Sequence, residues 1–381
     1  MIFFGEFILI YPLITIMYGQ YGHVDAAGIG IILAVGTTLS VILEIPTGII
    51  ADKVPRKYVL MASIFCKILA LTTWLIAPFF AGYLIAATLF AFSTALESGT
   101  LQAYLYGVLG DKHKQSFGKF WARVSAMVLI SYTVAYVFAT LVGVRYALLI
   151  ALSIIPCIVA LGICLTLPSD KLTSDSTDLK PRIFASAVGH IKSSPNLLKL
   201  IISGVVVVAM AKVMIEYITL YFNQVGVPAR WVPIVMAIAA LLGAITFWML
   251  HHWEKWLDRW LLVLIVVFTL VLIVSFMAGT VGAVVGMILF TRFIRLLQVQ
   301  YESNVQHLAS NKARATISSI GSFASSLIAA GAMALIGLTA VDNIVVRPIR
   351  IFLITGTVVY FVLQLFSRRQ RTYNQSAKVN A

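Results

Sequence analysis

Glu44-Ile-Pro-Thr-Gly48-Ile-Ile-Ala-Asp52-Lys53-Val-Pro-Arg56-Lys57 decides the fold, because here the uncharged run Ala26 to Leu43 meets clustered charge. An apolar run of that length ending in Asp, Lys and Arg marks a helix leaving a bilayer. Composition agrees: 61% of residues are hydrophobic and 11% charged, against roughly a quarter charged in a soluble domain. A net charge of +14 would point to nucleic acid in a soluble protein. Here the basic residues sit in the gaps between apolar runs, as juxtamembrane charge does, so a nucleic-acid partner is excluded.

A helix needs about 20 apolar residues to cross the hydrocarbon core, and the runs break at Gly, Pro and charge into twelve such segments. They are 2–20, 26–48, 58–78, 82–104, 120–142, 146–167, 197–222, 231–250, 261–278, 281–301, 315–338 and 349–367. The expected fold is all-α and polytopic, with twelve transmembrane helices. The first run begins almost at Met1 and is followed by further spans, so no cleavable signal peptide is needed. Cys66, Cys157 and Cys164 fall inside apolar runs without metal-ligand spacing and read as packing residues; no metal or cofactor is expected.

An even number of spans puts both termini on one side. Most Lys and Arg, among them Lys53, Arg56, Lys57, Lys112, Lys114, Arg182, Lys192, Lys312 and Arg314, gather on the side of Asp52. Only Arg145, Arg230, Arg347 and Arg350 fall at the other end, and Lys212 lies within a span. By the positive-inside rule the Asp52 side and both termini are cytoplasmic, in the cytoplasmic membrane. The longest polar interruption, 169–196, divides residues 1–168 from 197–381, six spans each. Pro181 and the stripe Ile183, Phe184, Ala187, Val188 and Ile191 predict an interfacial helix within it.

The two halves echo each other about 205 residues apart. Ile14-Thr-Ile-Met-Tyr-Gly-Gln-Tyr-Gly22 matches Ile218-Thr-Leu-Tyr-Phe-Asn-Gln-Val-Gly226, Asp52-Lys53 returns as Asp258-Arg259, and Glu97-Ser98 as Glu302-Ser303. That order of echoes predicts two pseudo-symmetric six-helix bundles.

Charges within spans should be paired or wet. Residues equidistant from a hairpin centre share a depth, which pairs Glu44 with Lys67, Glu97 with Arg123 and Glu302 with Arg314, as structural braces at the cytoplasmic ends or, alternatively, in direct contact with substrate. Lys212 and Glu216 stand at i and i+4 past the middle of the seventh span, with Tyr217 and Tyr221 near them, and read as a proton or substrate site or as a self-compensated pair. Tyr11, Thr15 and Tyr18 form a polar-aromatic stripe on the first span that faces a cavity or a packed helix. Glu6 lies nearer the cytoplasmic end. Arg292, Arg295, Gln298 and Glu302 share one face of the tenth span near the cytoplasm, where they draw a lipid headgroup or another anion. His251 to Trp260 reads as a loop anchored by Trp253, Trp256 and Trp260.

Gly48, Asp52, Lys53, Arg56 and Lys57 resemble the G-x-x-x-D-[RK]-x-G-R-[RK] loop of the major facilitator superfamily, with Pro55 where that family usually has glycine. Ser98-Gly-Thr100-Leu-Gln102-Ala103 and Arg314-Ala-Thr-Ile-Ser318 resemble a bacterial branch of it whose second helix also reads E-I-P-T-G. The glycine-proline signature of many drug-proton antiporters is absent from Trp121 to Gly143, and the fourth span lacks the arginine that often partners the motif aspartate. The resemblance implies a monomeric secondary transporter that moves a small molecule by alternating access, coupled to protons or another ion. Efflux of a partly apolar compound is expected, with uptake of a sugar or metabolite as the alternative. Glu216 is the first candidate for the proton, then Glu6 or Glu97. A membrane enzyme or sensor would need a carboxylate or histidine cluster near a loop, and none stands out.

The family also implies that Asp52 latches onto the start of the eleventh span, where the free amides and helix dipole at Ala315, Thr316 and Ile317, beside Arg314, favour an anion. Such a contact is worth about 0.3 to 2 kcal/mol, enough to shift a balanced two-state equilibrium several-fold. In Asp52→Asn, cysteines lining the cytoplasmic half of the cavity should label several-fold faster from that side. Unchanged labelling in a correctly inserted variant would reduce the motif to a topology signal.

Overall fold

Pro12 stands inside the first apolar run, where it donates no backbone hydrogen bond and its ring crowds the preceding turn. The run does not form one helix. The computed structural model describes residues 1–108, 117–169, 195–308 and 314–379, with the side chains at 52, 118–119, 196, 244–258, 306–308, 314–316 and 366–379 left aside. In it, α1 spans Ile2–Gly5, a 3-10 turn spans Tyr11–Leu13 and α2 spans Ile14–Gln20. The continuous span expected over 2–20 is corrected accordingly.

A break inside a membrane frees backbone groups that lipid cannot satisfy. Side chains from three other helices take them up. Ser131 Oγ donates to Phe3 O at 2.7 Å, Lys67 Nζ donates to Gly5 O at 3.1 Å, and Leu9 N donates to Ser153 Oγ at 2.9 Å. The donors and acceptor stand on α7 (Phe117–Val142), α4 (Arg56–Ile76) and α8 (Tyr146–Thr166).

The second span is α3, Ala26–Lys53, capped by the Asp25 carboxylate, which accepts from Gly28 N at 2.7 Å. Extended Val54 and Pro55 make the whole turn into α4. The fourth span is also broken. It divides into α5 (Phe80–Glu97) and α6 (Thr100–Val108) at Ser98-Gly99, where Gly99 takes φ +73°, a region closed to most side chains.

The later helices are α9 (Pro195–Gln224), α10 (Val232–Ser275), α11 (Gly279–Leu308), α12 (Arg314–Leu338) and α13 (Val346–Val379). The backbone of α10 runs unbroken through His251 to Trp260, where a loop was expected. The reason is compositional: between Gly243 and Gly279 there is neither glycine nor proline to stop it. Among the described residues, nine helices are long and apolar enough to cross a membrane, with shorter apolar stretches at Ala229–Gly243 and Arg259–Ser275. The interfacial helix expected at 181–192 lies outside the described residues.

The chain packs as two compact units. The first comprises Met1–Asp175, Tyr217–Leu242 and Met333–Val345. Here α4 lies against α5 and α8, and α3 against α5. Small hydroxyls join them: Thr47 Oγ1 donates to Ala95 O and Ser63 Oγ to Ser93 O, each at 3.0 Å.

At the end remote from Asp52, the sequence repeat becomes physical contact inside this unit. Thr15 and Thr219, equivalent positions of the echo, share a buried hydrogen bond of 2.8 Å. Gln20 and Gln224, the next equivalent pair, each hold the start of a following helix. Tyr146 Oη donates to Gln20 Oε1 at 2.6 Å, and Val345 N donates to Gln224 Oε1 at 2.9 Å. Gln20 Nε2 also donates to Asn223 Oδ1 at 3.3 Å. α3 and α12 meet glycine to glycine, so that a Cβ on Gly30 would stand 2.6 Å from Met333 O and 3.1 Å from the Gly337 Cα.

The second unit comprises Ser176–Glu216, Gly243–Ala332 and Val346–Ala381. Tyr301 fills the spaces left by Gly204 and Gly321, beside a core of Leu197, Ile201, Val205, Val305 and Ile317. Phe268 and Phe293 stack at 4.4 Å and Arg350 lies 4.1 Å over the Phe276 ring.

Gly30→Val should spring the α3 to α12 contact, since its side chain meets backbone on both sides. With the native cysteines replaced, Thr15→Cys should react at least several-fold faster with an impermeant thiol reagent added from the side of the 20–25 loop. An equal rate in a correctly inserted Gly30→Val protein would show that the crossing does not seal this end.

Candidate functional site

Among the described residues, a buried lysine of the first unit, Lys67, gathers two partly buried carboxylates at two helix breaks. Glu6 is the residue at which α1 stops, and Glu97 is the last residue of α5 before the Ser98-Gly99 turn. Lys67, in the middle of unbroken α4, reaches both. Its Nζ lies 2.7 Å from Glu6 Oε1 and 3.9 Å from Glu97 Oε2, and it also donates to Gly5 O. The second Glu6 oxygen, Oε2, accepts from Tyr132 Oη of α7 at 2.6 Å. Lys67 is 5% exposed, too little for its charge to be balanced by solvent alone. An unpaired lysine at the centre of a membrane helix costs about 2.5 to 3.5 kcal/mol on insertion scales, so the carboxylates hold it in place. A gap with room for about one water molecule opens among Met1, Ile2, Glu6, Ser63, Lys67 and Glu97.

These contacts revise the pairing expected from hairpin depth. Lys67 meets Glu6 where Glu44 was expected, because equal depth fixes height along a hairpin and leaves the direction around the helix open. Glu44 points out at the surface of α3. Glu97 faces Lys67 and not Arg123, which is exposed with its guanidinium 5.6 Å from the Phe120 ring. Glu302 accepts from Gln298 Nε2 at 2.9 Å, and the side chain of Arg314 lies outside the described residues.

The seventh-span pair does not close either. Lys212 Nζ donates to Ser326 Oγ of α12. Glu216 is half-buried and, among the described residues, has no hydrogen bond or ion pair. Tyr217 is fully buried, its hydroxyl donating to Met333 O at 2.9 Å. On the first span, Thr15 and Tyr18 are packed and not cavity-lining: Thr15 sits in the threonine pair, and Tyr18 lies 4.5 Å from the Tyr83 ring and 6.0 Å from Trp74. Tyr11 is half-buried, between Phe90 and Tyr132.

Of the motif residues, Gly48 is exposed with open space around it, and Lys53 is exposed. Lys57 Nζ donates to Leu165 O at 2.8 Å, satisfying a terminal carbonyl of α8, while Arg56 extends toward Gly107 of α6. The side chain of Asp52 and those of Ala315 and Thr316 lie outside the described residues, so the latch stays a proposal.

Tyr132, Ser131 and Ser153 escaped the sequence reading. Their signal was faint, since single hydroxyls in apolar helices usually bond their own backbone, as Ser153 also does to Leu149 O at 2.6 Å. Glu6 carried a clearer signal, as the lone carboxylate in the first span.

An all-helical chain with charge buried at broken membrane helices has the make-up of a polytopic transporter. The family model of the Major Facilitator Superfamily matches residues 1–367, and the chain belongs to that superfamily. A search of curated protein sequences finds no match. Among solved structures, the chain is similar to the nucleoside transporter NupG, with TM-score 0.76 and 15% identity over 96% of each chain. It is also similar to an inward-facing bacterial homologue of the human lysosomal transporter Spinster, with TM-score 0.73 and 14% identity over 96% of this chain and 93% of that one. A D-xylose-proton symporter gives TM-score 0.70 at 12% identity, covering 95% and 94%. At these identities the likeness shows the major facilitator fold.

Proposed function

We propose that this chain is a proton-coupled secondary transporter in which the proton is carried by the Glu6 and Glu97 carboxylates, with Lys67 as their fixed counter-charge. The observation that carries this reading is the stoichiometry of the cluster: two carboxylates and one ammonium within 4 Å of it, at two helix breaks. Two carboxylates sharing one cation leave a negative charge where each unit pair at 4 Å interacts by about 4 kcal/mol at an effective dielectric of 20. A single proton neutralises the set. The water-sized gap beside Met1 and Ile2 leaves room for one water molecule next to both carboxylates, through which a proton can be handed on.

The broken helices support the same reading. Discontinuous spans gather the ion and substrate sites of secondary transporters, because freed backbone groups and side chains rearrange together there. In this reading the transporter is a monomer in the cytoplasmic membrane with both termini inside, its halves 1–168 and 197–381 rocking about a midplane cavity. The Gly30 and Gly337 crossing with the Thr15 and Thr219 pair is its outer gate. Efflux of a small, partly apolar solute is the assigned direction, from the E-I-P-T-G resemblance and the aromatic interior of the first unit. Uptake by symport is the second reading, favoured by the likeness to a D-xylose-proton symporter.

Proteoliposomes and oriented membrane vesicles test both parts with a panel of nucleosides, sugars and lipophilic solutes. Glu6→Gln and Glu97→Gln should each lower transport driven by a pH gradient at least tenfold while solute counterflow persists, and Glu216→Gln should keep its proton drive. Loss of coupling in Glu216→Gln alone would move the proton to α9. Accumulation in everted vesicles marks efflux, and accumulation in right-side-out vesicles marks uptake.

A further inference from the structure

The first unit shows how this chain treats a structural cation in its apolar interior: Lys67 receives two carboxylates and a carbonyl. The second unit treats Arg292 differently. Arg292 lies on α11, partly buried, and its Nε has no hydrogen-bond partner among the described residues. No described carboxylate stands within ion-pair distance of it. Arg295, one turn on and on the same face, donates from Nη1 to the Gln298 side-chain oxygen at 2.8 Å. Gln298 in turn donates to Glu302, so the acidic residue of the row is engaged a further turn away.

Depth separates a lipid contact from a solute site. A membrane arginine without a partner normally extends its long side chain toward the headgroups. The Arg292 guanidinium instead lies against the backbone of α10 at Gly243, where a Cβ would collide with Nη1. Gly243 is about 16 Å along α10 from its first residue, Val232. Arg292 is about 20 Å along α11 from Gly279. With Val232 and Gly279 taken as the starts of their spans, the contact lies about 16 to 20 Å into a hydrocarbon core about 30 Å thick, inside the apolar layer and not at its edge.

We propose that Arg292, with Arg295 beside it, binds an anionic group of the transported solute, a carboxylate or a phosphate, at mid-membrane depth, and that the absent side chain of Gly243 leaves the room in which the guanidinium is held. The proposal rests on the transporter reading and narrows its cargo to compounds that carry negative charge. A planar guanidinium gives two parallel donors to either oxyanion, which one ammonium does not. Two cations and one carboxylate, Glu302, share this face, and with no described carboxylate on Arg292 the row keeps a net positive charge that an anionic solute offsets.

The test is binding, so it stands whether or not transport is proton-driven. Full-length protein in nanodiscs of zwitterionic lipid is titrated with benzoate, inorganic phosphate and citrate, and with neutral benzamide, following thermal stability. Saturable stabilisation by at least one anion and none by benzamide is expected. Arg292→Gln should weaken that binding about tenfold or more, Arg292→Lys less, and Gly243→Ala should weaken it by displacing the guanidinium. Glu6→Gln should bind the anion as the native protein does. Loss of proton-driven transport in Glu6→Gln is a separate result that bears on the coupling reading alone. No saturable anion effect, or equal binding by Arg292→Gln in monodisperse protein, overturns the proposal. An Arg292-dependent stabilisation produced only by adding phosphatidylglycerol to the nanodiscs overturns it in favour of a lipid site.

Discussion

A lysine in the middle of a membrane helix needs a counter-charge, and in this chain that need is met by a helix that does not run through. Lys67 draws in Glu6 and the Gly5 carbonyl at the point where α1 ends, and it lies within reach of Glu97 where α5 ends. The break supplies a carbonyl free of its own helix, and the lysine supplies the donor that a membrane interior otherwise lacks. Tyr132 fixes the other oxygen of Glu6, so the carboxylate is held from two helices at once. Ser131 and Ser153 close the remaining backbone bonds of the interrupted run. Moving any one of these groups changes the partners of the others, which suits a site whose protonation is to be felt by whole helices.

The far end of the same unit works on a different principle. There the contacts are neutral: a threonine pair, Gln20 on the Tyr146 hydroxyl and Gln224 on the Val345 amide, and a crossing of two glycines. Neutral hydrogen bonds of about 0.5 to 1.5 kcal/mol each hold a closed end without making it permanent. In the proposed mechanism charge is kept for the interior, and small residues with amides for the surface that comes apart. Such a division would let a change of one charge inside compete with the sum of a few weak contacts at the proposed gate.

Much of this was legible in the residues. The Asp52 stretch, the apolar periodicity and the echo from Ile14 to Gly22 carried the fold, and the equivalence of Thr15 with Thr219 became a bond between them. The pairing of charges was not legible, because hairpin arithmetic fixes depth while the rotation of α4 sends Lys67 toward α1 and away from Glu44. The breaks were half-legible: Pro12 and Gly99 are visible as residues, yet an apolar run of span length reads as one helix until the side chains that satisfy the interruption are known. The opposite error occurred at His251 to Trp260, where polar residues suggested a loop and the lack of glycine and proline kept the helix going. Lys212 and Glu216 had the right spacing to pair, but Ser326 of the neighbouring α12 offered Lys212 a partner that spacing on one helix cannot reveal.

The central claim is that one proton is held between the two carboxylates beside Lys67, and infrared difference spectroscopy across a pH step reads it directly. The purified protein should show a protonated-carboxyl band that titrates reversibly, disappears in Glu6→Gln or Glu97→Gln, and persists in Glu216→Gln. A titrating band untouched by both Glu6→Gln and Glu97→Gln, or the absence of any such band, would contradict it.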